Sequence, residues 1–529
     1  DCKTLYSMKR NSNSHHQIEC DVAIIGGSFG AVAAAQACLE RGLRVVMTER
    51  YPWIGGQVTS QSLCVLDEYH DPISEGGVGY SRRYGAFREA LRDYYKNSFK
   101  LSQFGREQLY FNAGNCMNSM VVAEPPAALK VVNDMFAEAA HEGRFQVFTE
   151  YVPVNARVAG RRIQAVTCRS LNEGTESLEI SASFFLSGDE LGDLFPILNL
   201  PYNIGAESQA DYHEPHAPEV AAPESVQSFT FCIAVEFVPG GNFVIRKPDD
   251  YEYWLEKHGE LFFLDAPGAR RDDPALMFRA KQGRNELPIP PAFYYRCMVD
   301  HRNFDDPRYP YSRTIFNVTG NDYFHENLIG KDDQDGILAR ARALSRAYLY
   351  WLQTEAPRDD GGIGYPELRP MPELTGTPDG IAMAPYIREG RRLKAYTVVT
   401  ENDLSTEASS ASRATHFRDS VGLGCFIIDI HRRNGAPSLS QMSRPYQVPL
   451  SALVSPKLDN FAVASKSIGV TQIANGAYRL HNIEWAIGEA AGEFAAYALD
   501  ENLPSAPLFG SQLMSYQSRL VKAGVPLCW

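Results

Sequence analysis

Residues 21–49 read DVAIIGGSFGAVAAAQACLERGLRVVMTE, and this order of residue types narrows the possible folds more than any other stretch. Asp21–Ile25 is a short apolar run, suited to a parallel strand buried on both faces. Gly26-Gly27-Ser28-Phe29-Gly30 turns the chain sharply, and an alanine-rich helix is predicted over Ala31–Arg41, ended by Gly42. Arg44–Thr48 reads as a second strand, and Glu49 closes the unit 23 residues beyond Gly26. The N–H groups at such a helix start lack intrahelical partners and carry partial positive charge, so they stabilise an anion. An acid at the end of the second strand can accept hydrogen bonds from a ribose diol. Together these predict a site for the diphosphate and ribose of a dinucleotide. The acid argues against a 2′-phosphate in this pocket, hence against NADP there. Ser28 and Ala31 stand where the second and third glycines of G-x-G-x-x-G fall, so a slightly widened turn is expected.

A length of 529 residues exceeds one ordinary core and predicts two domains. The net charge of -13 disfavours nucleic acid and anionic membrane as partners. No uninterrupted apolar run reaches the roughly 18 residues of a membrane span. The ten cysteines are scattered without C-x-x-C pairs, which predicts neither a zinc site nor a disulfide framework. A cytoplasmic location is the default expectation. Secretion stays open, because the chain begins at Asp1. His213 and His216 in YHEPHAPE tempt a metal reading, but a proline lies between them and a third ligand is not evident, so no metal is expected.

Farther along, residues 1–17 read as a loose polar tail. Helices are predicted over 80–97 and 125–142, the second with prolines in its first turn. Strands are predicted at Phe145–Thr149, Tyr151–Val158, Arg162–Arg169 and Leu178–Ser187. Between about 226 and 440 the sequence predicts strands Ser228–Phe237, Phe293–Val299, Thr314–Asn317 and Gly424–Ile430, and one strong helix, Gly336–Thr354. A second strand, glycine turn, helix and acid unit is not legible there. The C-terminal part regains nucleotide-domain character: an apolar strand at Leu458–Ala464, then a long alanine-rich helix from Ile483 to about Leu499, with Asn482 as its expected N-cap.

The N-terminal unit, TERYPWIGGQVTSQ, FFLSGDELGDL and FAVASKSIGVTQIANGAYRLHNIEWAIGEAAG together resemble FAD-dependent oxidoreductases of the glutathione-reductase structural type. Within them the nearest look is to the FAD_oxidored family; TEAPRDDGGIGYPELRP and APYIREGRRL also look familiar from it. The resemblance covers about residues 19–500. It implies an α/β fold: a Rossmann-like FAD-binding domain, discontinuous in sequence (18–205 and 441–529), with an inserted β-rich α+β substrate domain (206–440). FAD is the implied cofactor, and a small-molecule substrate and O2 or another electron acceptor are the implied partners.

Residue by residue, the resemblance implies that Gly26, Gly27, Ser28, Phe29, Gly30 and Ala31 cradle the diphosphate, with Glu49 on the adenosine ribose and Arg50 beside it. Gly55, Gly56, Gln57 and Thr59 would line the cofactor towards its ribityl chain, and Val152 would touch the adenine. Gly188 and Asp189 fall where the family has a motif ending A-T-G-D; here it is Leu186-Ser187-Gly188-Asp189. Thr471, Gln472, Arg479, Asn482 and Ile483 would approach the flavin ring, the helix start facing its pyrimidine edge. That placement favours negative charge by roughly 0.3–1 kcal/mol, and about 2 when partly buried. The candidate catalytic residues are His481, as a base or as a packed support for the helix; Arg388 and Arg392, as carboxylate anchors or structural ion pairs; and Tyr478. The expected reaction is removal of a hydride from a small organic substrate by an oxidase or dehydrogenase. A monooxygenase using NAD(P)H and O2, and a non-redox flavin-containing binding protein, are the alternatives.

Overall fold

The computed structural model describes residues 15–68, 79–172, 176–284 and 286–529. β1 (His15–Ile25), α1 (Phe29–Glu40) and β2 (Val45–Glu49) form the expected unit, with Val22–Ile25 in parallel register against Val45–Thr48. The strand begins at His15, so residues 15–17, expected in the tail, are sheet; residues 1–14 of that tail lie outside the described residues. α1 is buried nearly all round, as its uninterrupted alanine and valine face requires.

Two helices follow, α2 (Arg82–Ser98) and α3 (Pro125–His141), and then β3 (Phe145–Thr149), which extends the sheet parallel to β2. β4 (Tyr151–Ala159) and β5 (Arg162–Ser170) form an antiparallel arm, and β6 (Ser177–Ser187) returns beside β1 in parallel. The sheet order is β3-β2-β1-β6-β5-β4. The end of β6 also pairs in parallel with a strand from the far end of the chain, introduced below, at Phe185–Ser187.

Between residues 229 and 387 the elements are shorter. β7 (Ile233–Phe237), β8 (Cys297–Val299) and β9 (Arg313–Phe316), followed by α4 (Gln334–Thr354) and β10 (Leu368–Pro370), give a four-stranded antiparallel sheet of order β8-β9-β7-β10. A second apolar cluster, including Phe231, Trp254, Tyr348 and Leu352, fills the space between this sheet and α4. Several long strands expected here are broken. Phe229–Thr230 is separate from Ile233–Phe237, Ala292–Tyr295 is a helical turn before Cys297–Val299, and Ser420–Gly424 is separate from Ile428–Ile430. An apolar run in this region predicts a continuous strand, but its burial comes from several neighbours, not from one ladder.

β11 (Phe461–Val463) completes the parallel sheet beside β6, and α5 (Gln472–Tyr478) and α6 (His481–Asp500) follow it. α6 lies along α1 at very short range. A Cβ on Gly488 would overlap the Gly30 carbonyl, and one on Gly492 would overlap that of Ala34. The N-terminal turn and the C-terminal helix are therefore one packed unit, although some 450 residues separate them in sequence. Asn482 does not cap α6. Leu480 holds the cap position without a side-chain hydrogen bond, and the helix already includes His481.

Candidate functional site

The turn after β1 is built on close backbone crossings. Gly26 has φ +101°, and a Cβ there would overlap the backbone of Asp189. Gly188 carries the opposite strand past it, with room for no Cβ between the Gly26 carbonyl and Ala31. Ala31, in the third fingerprint position, thus packs directly on Gly188. Ser28, in the second, donates its N–H to the Gly188 carbonyl (3.0 Å) and caps α1 by accepting the Ala31 N–H (3.3 Å). The departure from the glycine pattern is absorbed as a helix cap, and the turn keeps its course. Phe29 turns its ring into the core against Phe87 and Trp485, so only its backbone faces the turn.

Glu49 is buried at the end of β2 and accepts N–H groups from Gly27 (2.8 Å) and Tyr51 (2.9 Å). Burial pushes its carboxyl up to about 7 against these two donors. Gly26, Glu49, Arg50, Gly56, Val152 and Asp189, six of the expected cofactor residues, line one cavity. Gly55 and Gly56 both have positive φ (+107° and +48°), and Gly56 sits against the Ser28 backbone, bringing the second loop onto the first. Thr59 spends its hydroxyl on the Ile54 carbonyl (2.7 Å), fixing that loop. Asp189 accepts from the Ser187 hydroxyl (2.9 Å) and the Asp193 N–H (2.6 Å), and burial raises its carboxyl to about 6.

Farther along, Gln57 donates to the Arg479 carbonyl (3.2 Å) and to Glu484. Among the described residues, Gln57 Oε1, Glu484 Oε1 and Asn482 Oδ1 are buried and accept no hydrogen bond. Such orphaned acceptors are costly unless something donates to them. The hydroxyl- and N–H-bearing part of FAD carries the donors they lack, and the Cβ-free turn suits its diphosphate, so the residues present fit the cofactor. Ile483, buried at the start of α6, adjoins them.

Other expected residues are already engaged. Arg388 donates to the Ser228 carbonyl and the Thr230 hydroxyl (2.9 Å each) and pairs with Asp322 at 3.1 Å. Arg392 pairs with Glu207 (2.8 Å) and Glu389 and donates to the Gly205 carbonyl (2.6 Å). Both are buried, and of the two roles open to them the geometry matches the structural ion pair. Tyr478 is buried against Tyr446 and donates to the Gln447 carbonyl (2.6 Å). Thr471 caps α5 and donates to Glu214 (2.5 Å), while Gln472 is held by Glu207, Glu389 and Arg433. His481 accepts the Asp67 N–H at Nδ1 (3.1 Å) and lies 3.0 Å from the Leu63 carbonyl at Nε2, so a neutral ring protonated at Nε2 satisfies both. Burial moves its imidazole down to about 4.

The structure adds groups that no motif marked. Lys466 is buried beside this region, pairs with Glu190 (2.5 Å) and donates to the Ile387 carbonyl (2.6 Å). A lone cation in the otherwise uncharged run FAVASKSIGV was the available signal. Arg479 reaches Asp429 (2.9 Å), His431 bridges Asp322 (2.7 Å) and Asp429 (3.3 Å), and Asp429 and His431 line a cavity of about 490 Å³. These residues come from separate segments without a shared spacing, so sequence carries little sign of them. A larger cavity, about 600 Å³, lies by Arg246 and Arg346, whose charges are paired with Asp249 and Asp379, and it does not include any expected site residue. Among the described residues no group of three metal-binding side chains is found, and no helix is long and apolar enough to cross a membrane.

A sequence profile described as FAD dependent oxidoreductase matches residues 21–515. The chain belongs to this family of FAD-dependent oxidoreductases. This flavoenzyme is similar, at 35% identity over 71 residues, to the carotenoid phi-ring synthase of Streptomyces griseus. That match covers 13% of this chain and only 14% of the relative's length. Among solved structures it is similar to the OxyS anhydrotetracycline hydroxylase of Streptomyces rimosus, at 10% identity and a TM-score of 0.36 over 96% of this chain and 67% of that one. E. coli quinol fumarate reductase gives 11% identity and a TM-score of 0.35, over 96% and 74%.

Proposed function

We propose that this flavoenzyme removes a hydride from a small organic substrate held beside the cofactor and passes the electrons to oxygen or another acceptor. The observation that carries this reading is the cavity of about 490 Å³ whose wall includes Asp429, paired with Arg479, a residue whose carbonyl already binds Gln57 of the cofactor loop. Its size falls within the range of small-molecule pockets. FAD supplies the hydride acceptor when bound. The strand, glycine turn, helix and acid unit occurs once among the described residues, and the other sheets are antiparallel. That favours electrons arriving from the substrate.

In this reading Gly26–Ala31 hold the diphosphate, Glu49 and Arg50 the ribose side, Val152 the adenine, and Gly55–Gln57 with Asn482 and Ile483 the rest of the cofactor. Segment 206–440 supplies the substrate side. His481 serves as a strut that ties the Leu63–Asp67 loop to α6, with Arg388, Arg392 and Tyr478 as structural groups around the site. The test is anaerobic mixing of yellow enzyme with candidate amines, alcohols and acids. Bleaching of the flavin by a substrate alone supports the proposal. Bleaching only by NAD(P)H, with an oxygen atom in the product, replaces it with a monooxygenase, and bleaching by neither with a binding role.

A further inference from the structure

Ten arginines of this protein have an Nε shut off from water and without a hydrogen-bond partner among the described residues. Eight of them are compensated by a carboxylate: Arg88, Arg313, Arg369, Arg388, Arg391, Arg392, Arg479 and Arg519. Arg433 gives its two Nη groups to Gln472 Oε1 (2.8 Å) and the Pro437 carbonyl (2.9 Å). Arg296 is the exception. It lines the cavity beside Asp429 and His431, its Nη1 donates to the Asn317 carbonyl (2.9 Å), and its guanidinium lies 4.9 Å from the centre of the Tyr295 ring. Among the described residues no carboxylate stands within 4.0 Å of it, and neither Nη2 nor Nε makes a hydrogen bond.

The acids near Arg296 and the cavity have other partners; Asp67, the carboxylate that most favours the Arg296 charge, accepts the Asn118 amide. Asp429 is shared between Arg479 and His431, and Asp265 accepts both the N–H (2.9 Å) and the hydroxyl (2.6 Å) of Thr319. Burial raises the Asp265 carboxyl above its ordinary range. Nη2, without a hydrogen bond and not shut off from water, leaves the guanidinium a charge-assisted donor that a carboxylate matches.

We infer that this cavity binds the carboxylate of a small organic acid, with Arg296 as its anchor and Tyr295, Asn317 and Thr319 as the surrounding wall. The inference rests on the proposed reaction in placing the cavity on the substrate side, and it narrows the substrate to molecules bearing a carboxylate. Arg296 is then a substrate-binding residue, and the part of the substrate that reacts points away from it, towards Arg479.

The experiment titrates FAD-loaded enzyme with acetate, succinate and benzoate, and with acetamide, succinamide and benzamide, read by flavin absorbance and by calorimetry. At least one carboxylate should bind saturably and its amide should not. In Arg296→Gln that carboxylate should bind roughly ten- to a hundredfold more weakly, at unchanged flavin content. Arg296→Lys, which keeps the charge but loses the planar fork, should fall between, and it serves if the glutamine variant does not fold. Equal binding of acid and amide, no saturable binding of any of the three acids at tens of millimolar, or undiminished binding by Arg296→Gln would each overturn the inference. Bleaching of the flavin by an uncharged alcohol or amine, with none of these acids bound, would overturn it while leaving the hydride-removal reading intact.

Discussion

The turn at Gly26–Ala31 and the loop at Arg388–Arg392 are both buried and polar, but they dispose of polarity in opposite ways. At the turn, the chain brings backbone past backbone without side chains between, and neighbouring acceptors on Gln57, Glu484 and Asn482 are left unmet. At the loop, three arginines meet Asp322, Asp193, Glu207 and Glu389, and their charge is spent inside the protein. The arginine Nε atoms at the loop also lack hydrogen bonds, but each guanidinium has a carboxylate beside it. Residue types with catalytic reputations are no guide to a ligand site, because burial obliges their charges to find partners first.

The contrast can be broken most severely at the turn. Gly26→Val forces a branched side chain into the Asp189 backbone at a left-handed φ. Strain plus overlap should cost roughly 3 kcal/mol or more, and expression should yield little FAD-loaded protein by absorbance. At the loop, Arg388→Ala strands Asp322 with only His431 and Thr230 as partners. A loss of about 3–5 kcal/mol is expected by urea unfolding. If Arg388 is structural, Arg388→Met with Asp322→Leu should recover much of it, whereas an anchor for substrate would show an unchanged midpoint and a raised KM.

Glu49→Gln sharpens the turn's side of the comparison. It should weaken FAD retention roughly ten- to a hundredfold, measured by equilibrium dialysis. The wild type carries a pH signature there. The buried carboxyl titrates near 7 instead of 4.5, so the apoprotein gains stability from it below 4.5 and loses that gain as pH rises through 7. Ribose hydroxyls favour the carboxylate, so FAD retention should strengthen over the same rise, and the variant should lack this slope.

His481→Ala leaves the Asp67 N–H and the Leu63 carbonyl unpaired and should cost about 1–3 kcal/mol, with the flavin spectrum and the turnover of loaded enzyme kept. A lost turnover with intact stability would make it a base instead. The sign of its pH effect is opposite to that of Glu49. With the folded imidazole at about 4 against 6.5 unfolded, its contribution is full above 6.5 and is lost as pH falls towards 4. The smallest effect belongs to Arg246→Gln, whose pair with Asp249 is solvent-exposed; stability should change by no more than about 0.5 kcal/mol.

The cofactor side was legible because it depends on short-range rules. Strand, turn, helix and acid sit within residues 21–49, and the same local patterning located β3, β5, β6 and α4. Asn482 is a good capping residue by type, but α6 begins at His481 with Leu480 in the cap position, which residue preference alone does not reveal. The broken strands of the middle region were hidden for a similar reason: an apolar run states that it is buried, not by what.

By itself the sequence determined the βαβ unit, its acid, the return of the chain's end to the same sheet and, through these, the FAD-dependent family. Only the tertiary structure decided which charges are free. Arg388 and Arg392 sit in a familiar motif and are neutralised by partners up to 185 residues away, whereas Arg296 has no motif and is left facing a cavity. The physical reason is that compensation of a buried charge depends on distances between segments remote in sequence, and residue spacing along the chain does not encode those distances.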